Sequence, residues 1–240
     1  SLRIRNWIWA MRIFPEIIDK KILISTWEQI CWLLHHLEDA NGGNHYLENL
    51  CTLIIGSLQF KNKKANKILK FSLQELDKEL NKQILNDGGH EERSASYHIL
   101  ILDRLIEVCA FLKITRKDIP KNILKNIEKM LNWTMSVRLE DGSFPRFNDS
   151  PMDSCPNIDE IICYGEAFLN KPFTNSANLT GIRQLLINEI GYKTFTFKVI
   201  NVKKILDLED TGWTFIKPGR GWEIIFKSGQ SCPKHLPGHA

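Results

Sequence analysis

The sequence has no apolar run long enough to cross a membrane. Its longest stretch free of Asp, Glu, Lys and Arg is Asn49–Phe60, whereas a spanning helix needs about 20 apolar residues. It has no Cys-x-x-Cys pair, no His/Cys/Asp/Glu spacing that matches a metal site, no Gly-x-Ser-x-Gly elbow and no phosphate loop. No metal and no cofactor are therefore expected. Glycine (14) and proline (9) are too few for a collagen-like or low-complexity chain. The six cysteines do not form a disulfide framework at this length and spacing. Cys31, Cys51 and Cys109 lie in apolar helical stretches and read as small core residues, while Cys155 and Cys163 are close enough in sequence to bridge. The first residues carry no signal-peptide pattern, because Arg12 breaks the apolar run. With Ser1 at the start and Pro237-Gly238-His239-Ala240 at the end, both ends are expected to be cut.

What is present is the balance of an ordinary globular protein, 43% hydrophobic and 25% charged. A net charge of +4 and a pI near 8.7 suit an anionic partner without requiring one. Lys61-Asn62-Lys63-Lys64 reads as a solvated helix face. No basic stripe is interleaved with aromatics, so nucleic acid is not an expected partner. The oligomeric state stays open.

Helical periodicity dominates the first 190 residues. Leu47, Leu50, Ile54 and Leu58 fall on one face, as do Leu102, Leu105, Cys109 and Leu112, and then Ile123, Ile127, Met130 and Leu131. The pattern predicts helices over 16–38, 46–61, 64–84, 94–113, 121–139 and 158–170, with a fainter one over 180–190. Between them similar loops return: Asn41-Gly42-Gly43-Asn44-His45, Asp87-Gly88-Gly89-His90 and Asp141-Gly142-Ser143-Phe144. Each interval holds about two helices, which is the signature of stacked helix hairpins. In a toroid or solenoid built this way the loops gather at one end. After residue 190 the period becomes two. Phe195, Phe197 and Val199 alternate with polar residues, and 212–216 and 222–226 read as strands joined by a hairpin over 217–221. The expected fold is mainly α: a toroidal helical domain over 1–190, then the start of a sheet domain over 191–240.

The loops carry the side chains that could do chemistry. Asn44, His45, His90, Arg93, Tyr97, Arg146 and Asn148 would line one cleft if the loops share an end. Several have a plainer reading as well. Asn44 can cap the helix beginning near Tyr46, Tyr97 can pack at a helix start, His45 can be a surface histidine, and Arg93 can pair with a neighbouring glutamate.

Taken together, Asn44-His45-Tyr46-Leu47-Glu48-Asn49 and Asp87-Gly88-Gly89-His90-Glu91-Glu92-Arg93-Ser94-Ala95-Ser96-Tyr97-His98 resemble the heparinase II/III-like polysaccharide lyases. Phe147-Asn148-Asp149-Ser150, Gly238-His239-Ala240 and the opening Arg3-Ile4-Arg5-Asn6-Trp7 resemble further blocks of that family in the same order. The resemblance implies an incomplete (α/α) toroid followed by an antiparallel β-sandwich. It also implies β-elimination in an acidic, uronate-containing glycan such as heparan sulfate or heparin, and a periplasmic or secreted protein. A base takes the C5 proton, the C4 oxygen leaves, and the uronate carboxylate must be neutralised meanwhile. On this reading Asn44 neutralises, and Tyr97 donates to the leaving oxygen and could serve as base if nearby cations lower its titration range. His45 and His239 are candidate bases, and His90, Arg93, Arg146 and Asn148 bind substrate. Any metal the family holds in the sheet domain would lie past Ala240. Since His239 is the penultimate residue, the 240 residues alone are expected to be weak or inactive. Two other classes stay open: a non-catalytic carbohydrate-binding or glycan-assembly protein with the same toroid, and a toroidal glycoside hydrolase using two carboxylates among Glu91, Glu92 and Asp149.

Overall fold

The structure, a computed structural model, describes residues 1–40, 42–151, 155–172, 174, 177–191, 205–219 and 221–230. Among them are eight α-helices and three strands. The helices are α1 (Leu2–Ile13), α2 (Lys20–Leu34), α3 (Gly43–Ser57), α4 (Lys63–Gln83), α5 (Ala95–Ile114), α6 (Lys121–Val137), α7 (Ile158–Phe168) and α8 (Gly181–Ile190). The strands are β1 (Ile205–Leu208), β2 (Trp213–Gly219) and β3 (Trp222–Lys227), and they form one antiparallel sheet in the order β1-β2-β3. The fold is mainly helical with a small sheet, as the periodicity predicts.

The helices divide into two kinds. α4 shows the outer kind: Ala65, Ile68, Ser72, Leu76, Leu80 and Gln83 are buried at spacings of three and four, and its lysines and glutamates face water. Asn62 caps it by accepting from the Ala65 amide at 2.8 Å. α5 is the inner kind, buried along most of its length from Ala95 to Leu112, and it packs against α3, α6, α7 and α8. α3 is buried almost as completely.

Burial on all sides forces α5 to satisfy its own charged residues inside the protein. Arg104 donates to Glu48 of α3 at 2.9 Å and to Asp103 at 2.8 Å, and Glu107 lies 3.4 Å away. Glu107 also accepts from Arg5 of α1 at 2.7 Å and from the Trp9 indole at 2.5 Å. Arg183 of α8 joins Asp103 at 2.8 Å to Glu160 of α7 at 2.9 Å. One continuous network therefore ties α1, α3, α5, α7 and α8. Burial pushes the Glu48 carboxyl above its ordinary range, and Arg104 offsets only part of that rise.

The structure departs from the expected elements in three places. α1 is not among the helices that the periodicity predicts; Arg5 is spent inside, on Glu107, and Ile4, Ile8, Trp9 and Met11 are buried. The helix expected over 16–38 breaks into a short turn at Pro15–Ile17 and then α2, with Asp19 capping Ile22 N at 2.7 Å. β1 was likewise not anticipated. The strand expected around Phe195–Val199 lies outside the described residues.

The sheet docks through one face. Leu208, Trp213 and Phe215 pack with Ala95, Trp133 and Val137, and Phe147 meets Trp213 edge-on with ring centroids 5.2 Å apart. Asp87 accepts from Thr211 N at 2.6 Å and Thr211 Oγ1 at 3.0 Å, and the Trp133 indole donates to the same hydroxyl at 3.0 Å. Gly89 must be glycine here, since a Cβ would stand 2.2 Å from Thr211 Oγ1. Cys155 and Cys163 do not bridge.

Arg104→Ala is expected to destabilise the protein by about 3–5 kcal/mol, because it leaves Glu48, Asp103 and Glu107 buried with fewer partners. Urea unfolding measures it. A change under about 1 kcal/mol would show that the network relaxes to water.

Candidate active site

Three loops meet at one end of the helical body. The N-termini of α3 and α5 lie together, because the Asn44 amide donates to Glu92 Oε1 at 2.7 Å. Glu92 is buried, and its carboxylate sits at the positive end of α3. The third loop closes over α5. Ser94 Oγ donates to Asp149 O at 2.6 Å, and Asn148 Nδ2 donates to the main-chain oxygens of Glu92 at 3.3 Å and Arg93 at 3.1 Å.

Asn44 lies in the first turn of α3 and is not its cap; that position belongs to Gly42, whose φ of 64° suits glycine. Among the described residues the Asn44 side-chain amide makes no hydrogen bond, so it is available to a ligand. Tyr97 lies in the first turn of α5, half-buried, and its hydroxyl donates to the Asp149 carboxylate. Ser94 caps this helix by accepting from Tyr97 N at 3.3 Å.

His45 is exposed, with its Nδ1 3.5 Å from Glu38 Oε2. His90 is elsewhere: it is buried and spent on the loop. Its Nδ1 accepts from Glu92 N at 3.3 Å, so Nε2 carries the hydrogen and donates to Gln83 at 3.0 Å. In this arrangement no ring nitrogen of His90 reaches a substrate, which departs from its expected binding role. Burial holds the imidazole neutral, lowered to about 3. The neighbouring His98 is buried and lowered to about 3 in the same way, with Nε2 against Met130 O at 3.1 Å and Thr134 Oγ1 at 3.0 Å.

Arg93 forms hydrogen bonds to main-chain oxygens, to Glu91 at 3.5 Å and to Asp210 at 3.3 Å, the second joining the site to the sheet. Arg146 is exposed beside a 160 Å³ pocket that Gly142, Ser143, Phe144 and Asn157 also line. Asn148 adopts a φ of 56° and accepts from Lys227 of β3 through its side-chain oxygen. His239 lies outside the described residues. A larger cavity of 610 Å³ opens at the far end of α5, lined by Lys113, Arg116, Lys117 and Phe168. It has no imidazole or phenol, so the loop end is the better candidate. No cluster of His, Cys, Asp and Glu among the described residues could hold a metal.

Sequence reasoning missed Lys227 and the specific tie between Tyr97 and Asp149. Lys227 lies 79 residues from its partner, and only the docking of the sheet brings it there.

The model of the heparinase II/III N-terminus matches residues 9–170, most of the helical body and all three loops. The chain belongs to the heparinase II/III family. This heparinase-like chain is 29% identical over 116 residues to a heparin-sulfate lyase of Bacteroides stercoris, covering 46% of the chain and 17% of that protein. It is 28% identical over 166 residues to a heparin-sulfate lyase of Bacteroides thetaiotaomicron, covering 62% of the chain and 24% of that protein. The chain thus spans under a quarter of the length of these curated relatives. A crystal structure of heparinase III has the same fold over 95% of the chain and 36% of its own length, with a TM-score of 0.72 and 19% identity. A heparan sulfate lyase from Pedobacter heparinus matches at a TM-score of 0.61 with 18% identity, over 90% of the chain and 32% of its own length.

The two buried imidazoles make stability depend on pH. Folded, they titrate near 3; unfolded, near 6.5. Below about pH 6.5 the unfolded chain binds more protons, so stability falls as pH falls, by up to about 1.4 kcal/mol per pH unit for each histidine, until about pH 3. Urea unfolding from pH 7 to pH 4 is expected to show this slope, and His90→Asn should remove about one histidine's share. An unchanged slope in that variant would place the protons elsewhere.

Proposed function

We propose that this chain is the catalytic helical part of a polysaccharide lyase that cleaves heparan sulfate, heparin or a related uronate glycan by β-elimination. The observation that carries the reading is the meeting of the first turns of α3 and α5, which brings Asn44 with an unengaged amide to the same end as the Tyr97 hydroxyl. The curated relatives named as heparin-sulfate lyases support the substrate class. On the same reading the helix hairpins, residues 1–190, belong to an (α/α) toroid, and residues 191–240 open a β-sandwich domain.

The roles follow from the chemistry. The C5 proton is weakly acidic until the adjoining carboxylate is neutralised, and Asn44 donates its amide hydrogens there as charge builds. Tyr97 handles the proton of the C4 oxygen. His45 and His239 are the imidazoles that could take the C5 proton. Arg146, exposed beside its pocket, suits a carboxylate or sulfate in a bidentate pair, with Arg93 and Asn148 shaping the loop behind it. His90 contributes by fixing the loop that carries Glu92 and Arg93.

The hydrolase reading is disfavoured by what the carboxylates do. Glu92 is buried against the Asn44 amide and Asp149 holds Tyr97, whereas a glycosidase needs two carboxyl groups facing the sugar. A binding protein would not need the Tyr97 hydroxyl.

Elimination creates a C4–C5 double bond that absorbs in the ultraviolet, whereas hydrolysis and binding create none. Heparan sulfate, heparin, hyaluronan, chondroitin and alginate should be screened with the chain and with the longest protein that contains it. Absorbance with at least one polymer is expected. Tyr97→Phe should cost roughly 10²–10⁴-fold in turnover, and Asn44→Ala should lower kcat more than it raises KM. No absorbance change with any polymer, or full turnover by Tyr97→Phe, would overturn the reading.

A further inference from the structure

The charge of the chain is not spread evenly. Residues 113–125 hold Lys113, Arg116, Lys117, Lys121 and Lys125 against the single Asp118, so this short segment carries a charge equal to the +4 of the whole chain. It runs from the last turn of α5 through a loop into the first turns of α6. Lys113, Arg116, Lys117 and Asp118 line the 610 Å³ cavity there, while Ile119, Leu124, Phe168 and Leu169 give it an apolar wall. The four charged residues are exposed. Among the described residues none of the three cations is held in an ion pair or a side-chain hydrogen bond.

Cations at a helix C-terminus often do no more than offset its dipole or bond its last carbonyls. Here the backbone already meets those carbonyls. Lys117 N donates to Leu112 O at 2.8 Å and Arg116 N to Lys113 O at 3.1 Å. α7 ends at the same cavity and closes in the same way, with Lys171 N donating to Glu166 O at 2.8 Å. Each helix end is worth about half a charge, less than three cations bring. Both turns need a residue in the left-handed region. α7 fills that position with Asn170, at a φ of 54°, and α5 fills it with Arg116, at a φ of 56°. Asparagine tolerates this conformation and glycine is the ordinary residue there, whereas a long side chain is strained. Stability alone would place glycine or asparagine at 116; the fold instead keeps a guanidinium at the edge of the cavity.

We propose that this cavity is a second, non-catalytic binding site that takes an anionic sugar. Lys113 and Lys117 meet a carboxylate or sulfate as point charges, and Arg116 meets one as a bidentate fork. The apolar wall, Phe168 included, suits the C–H face of a pyranose ring. The Asp118 carboxylate can only accept, and sugar hydroxyls supply donors where bare sulfate has none. The volume is that of a small-ligand pocket. Lys113 lies about 24 Å along the α5 axis from Tyr97, so the site is separate from the loop end. A long glycan held here as well as at the loop end is bound more tightly with no new contact at the reacting atoms. Narrowing the sugar to a sulfated uronate glycan rests on the lyase reading; the match of the lining to an anionic sugar does not.

The full chain, with its isoleucine and leucine methyls labelled, is titrated with a heparin tetrasaccharide, neutral maltotetraose and inorganic sulfate while NMR follows Ile119, Leu124 and Leu169. The heparin tetrasaccharide is expected to shift these methyls and to bind at least about tenfold more tightly than either control. Arg116→Gly should weaken that binding by about tenfold or more, as loss of a charge-assisted pair does. It should also melt at the same temperature or higher, because glycine suits the backbone there. Lys117→Gln is the second variant and should weaken binding in the same direction. The inference is overturned by methyls that stay still, by maltotetraose or sulfate binding as tightly as the heparin tetrasaccharide, or by undiminished binding in both variants. Ultraviolet absorbance decides the lyase reading separately. Shifted methyls without elimination keep the sugar site and sink that reading, and elimination with still methyls does the reverse.

Discussion

The buried ion network on α5 is the constraint to which the rest of this protein is fitted. Asp103, Arg104 and Glu107 lie within two turns of a helix that has almost no water-facing side. Charges so placed cost several kcal/mol each unless partners meet them at hydrogen-bond distance. Arg5, Glu48 and Arg183 do so from three other helices, and Glu160 of α7 in turn holds Arg183. Apolar contacts among Leu, Ile and Phe would tolerate small slides of one helix along another, but the Arg104–Glu48 and Arg183–Asp103 pairs do not. The network therefore fixes the axial register of α3 against α5, and their first turns meet because their middles cannot shift.

From that register the loop end is assembled with short polar ties. Glu92 joins the second loop to the start of α3, and the serines around Asp149 join the third loop to the start of α5. The imidazole of His90 acts as a neutral brace between them. This is the division expected of a functional end built on a rigid body: buried groups fix the loops, and a few side chains stay accessible. Among the expected residues His45 and Arg146 are exposed, and Asn44 and Tyr97 are partly so.

Much of this was legible in the sequence, for identifiable reasons. α3 to α7 have apolar positions at three- and four-residue spacing, and periodicity reports that directly. The glycine loops returned after every pair of helices, so their shared end could be inferred without contacts. α1 was missed because its inward arginine looks the same in sequence as an outward one. His90 and Tyr97 illustrate the same limit at the loop end. Both stand in a polar block, yet one has both nitrogens consumed by the protein and the other keeps a hydroxyl at the edge of it. That distinction depends on Gln83 and Asp149, which approach from 7 and 52 residues away. Lys227 and Thr211 lie farther still, and no local pattern announces them.

The tie between Asp87 and Thr211 spans 124 residues, and it gives the site an order of assembly. Contacts that close so long a loop form late, after the local helix pairs have already been rewarded. The helical body, with Asn44 and Tyr97 in place, can therefore form before the sheet arrives. Docking of Thr211 and Trp213 then brings Asp210 to Arg93 and Lys227 to Asn148. As the chain leaves the ribosome the two sides of the site are completed at different times, the phenol side first and the lysine side last.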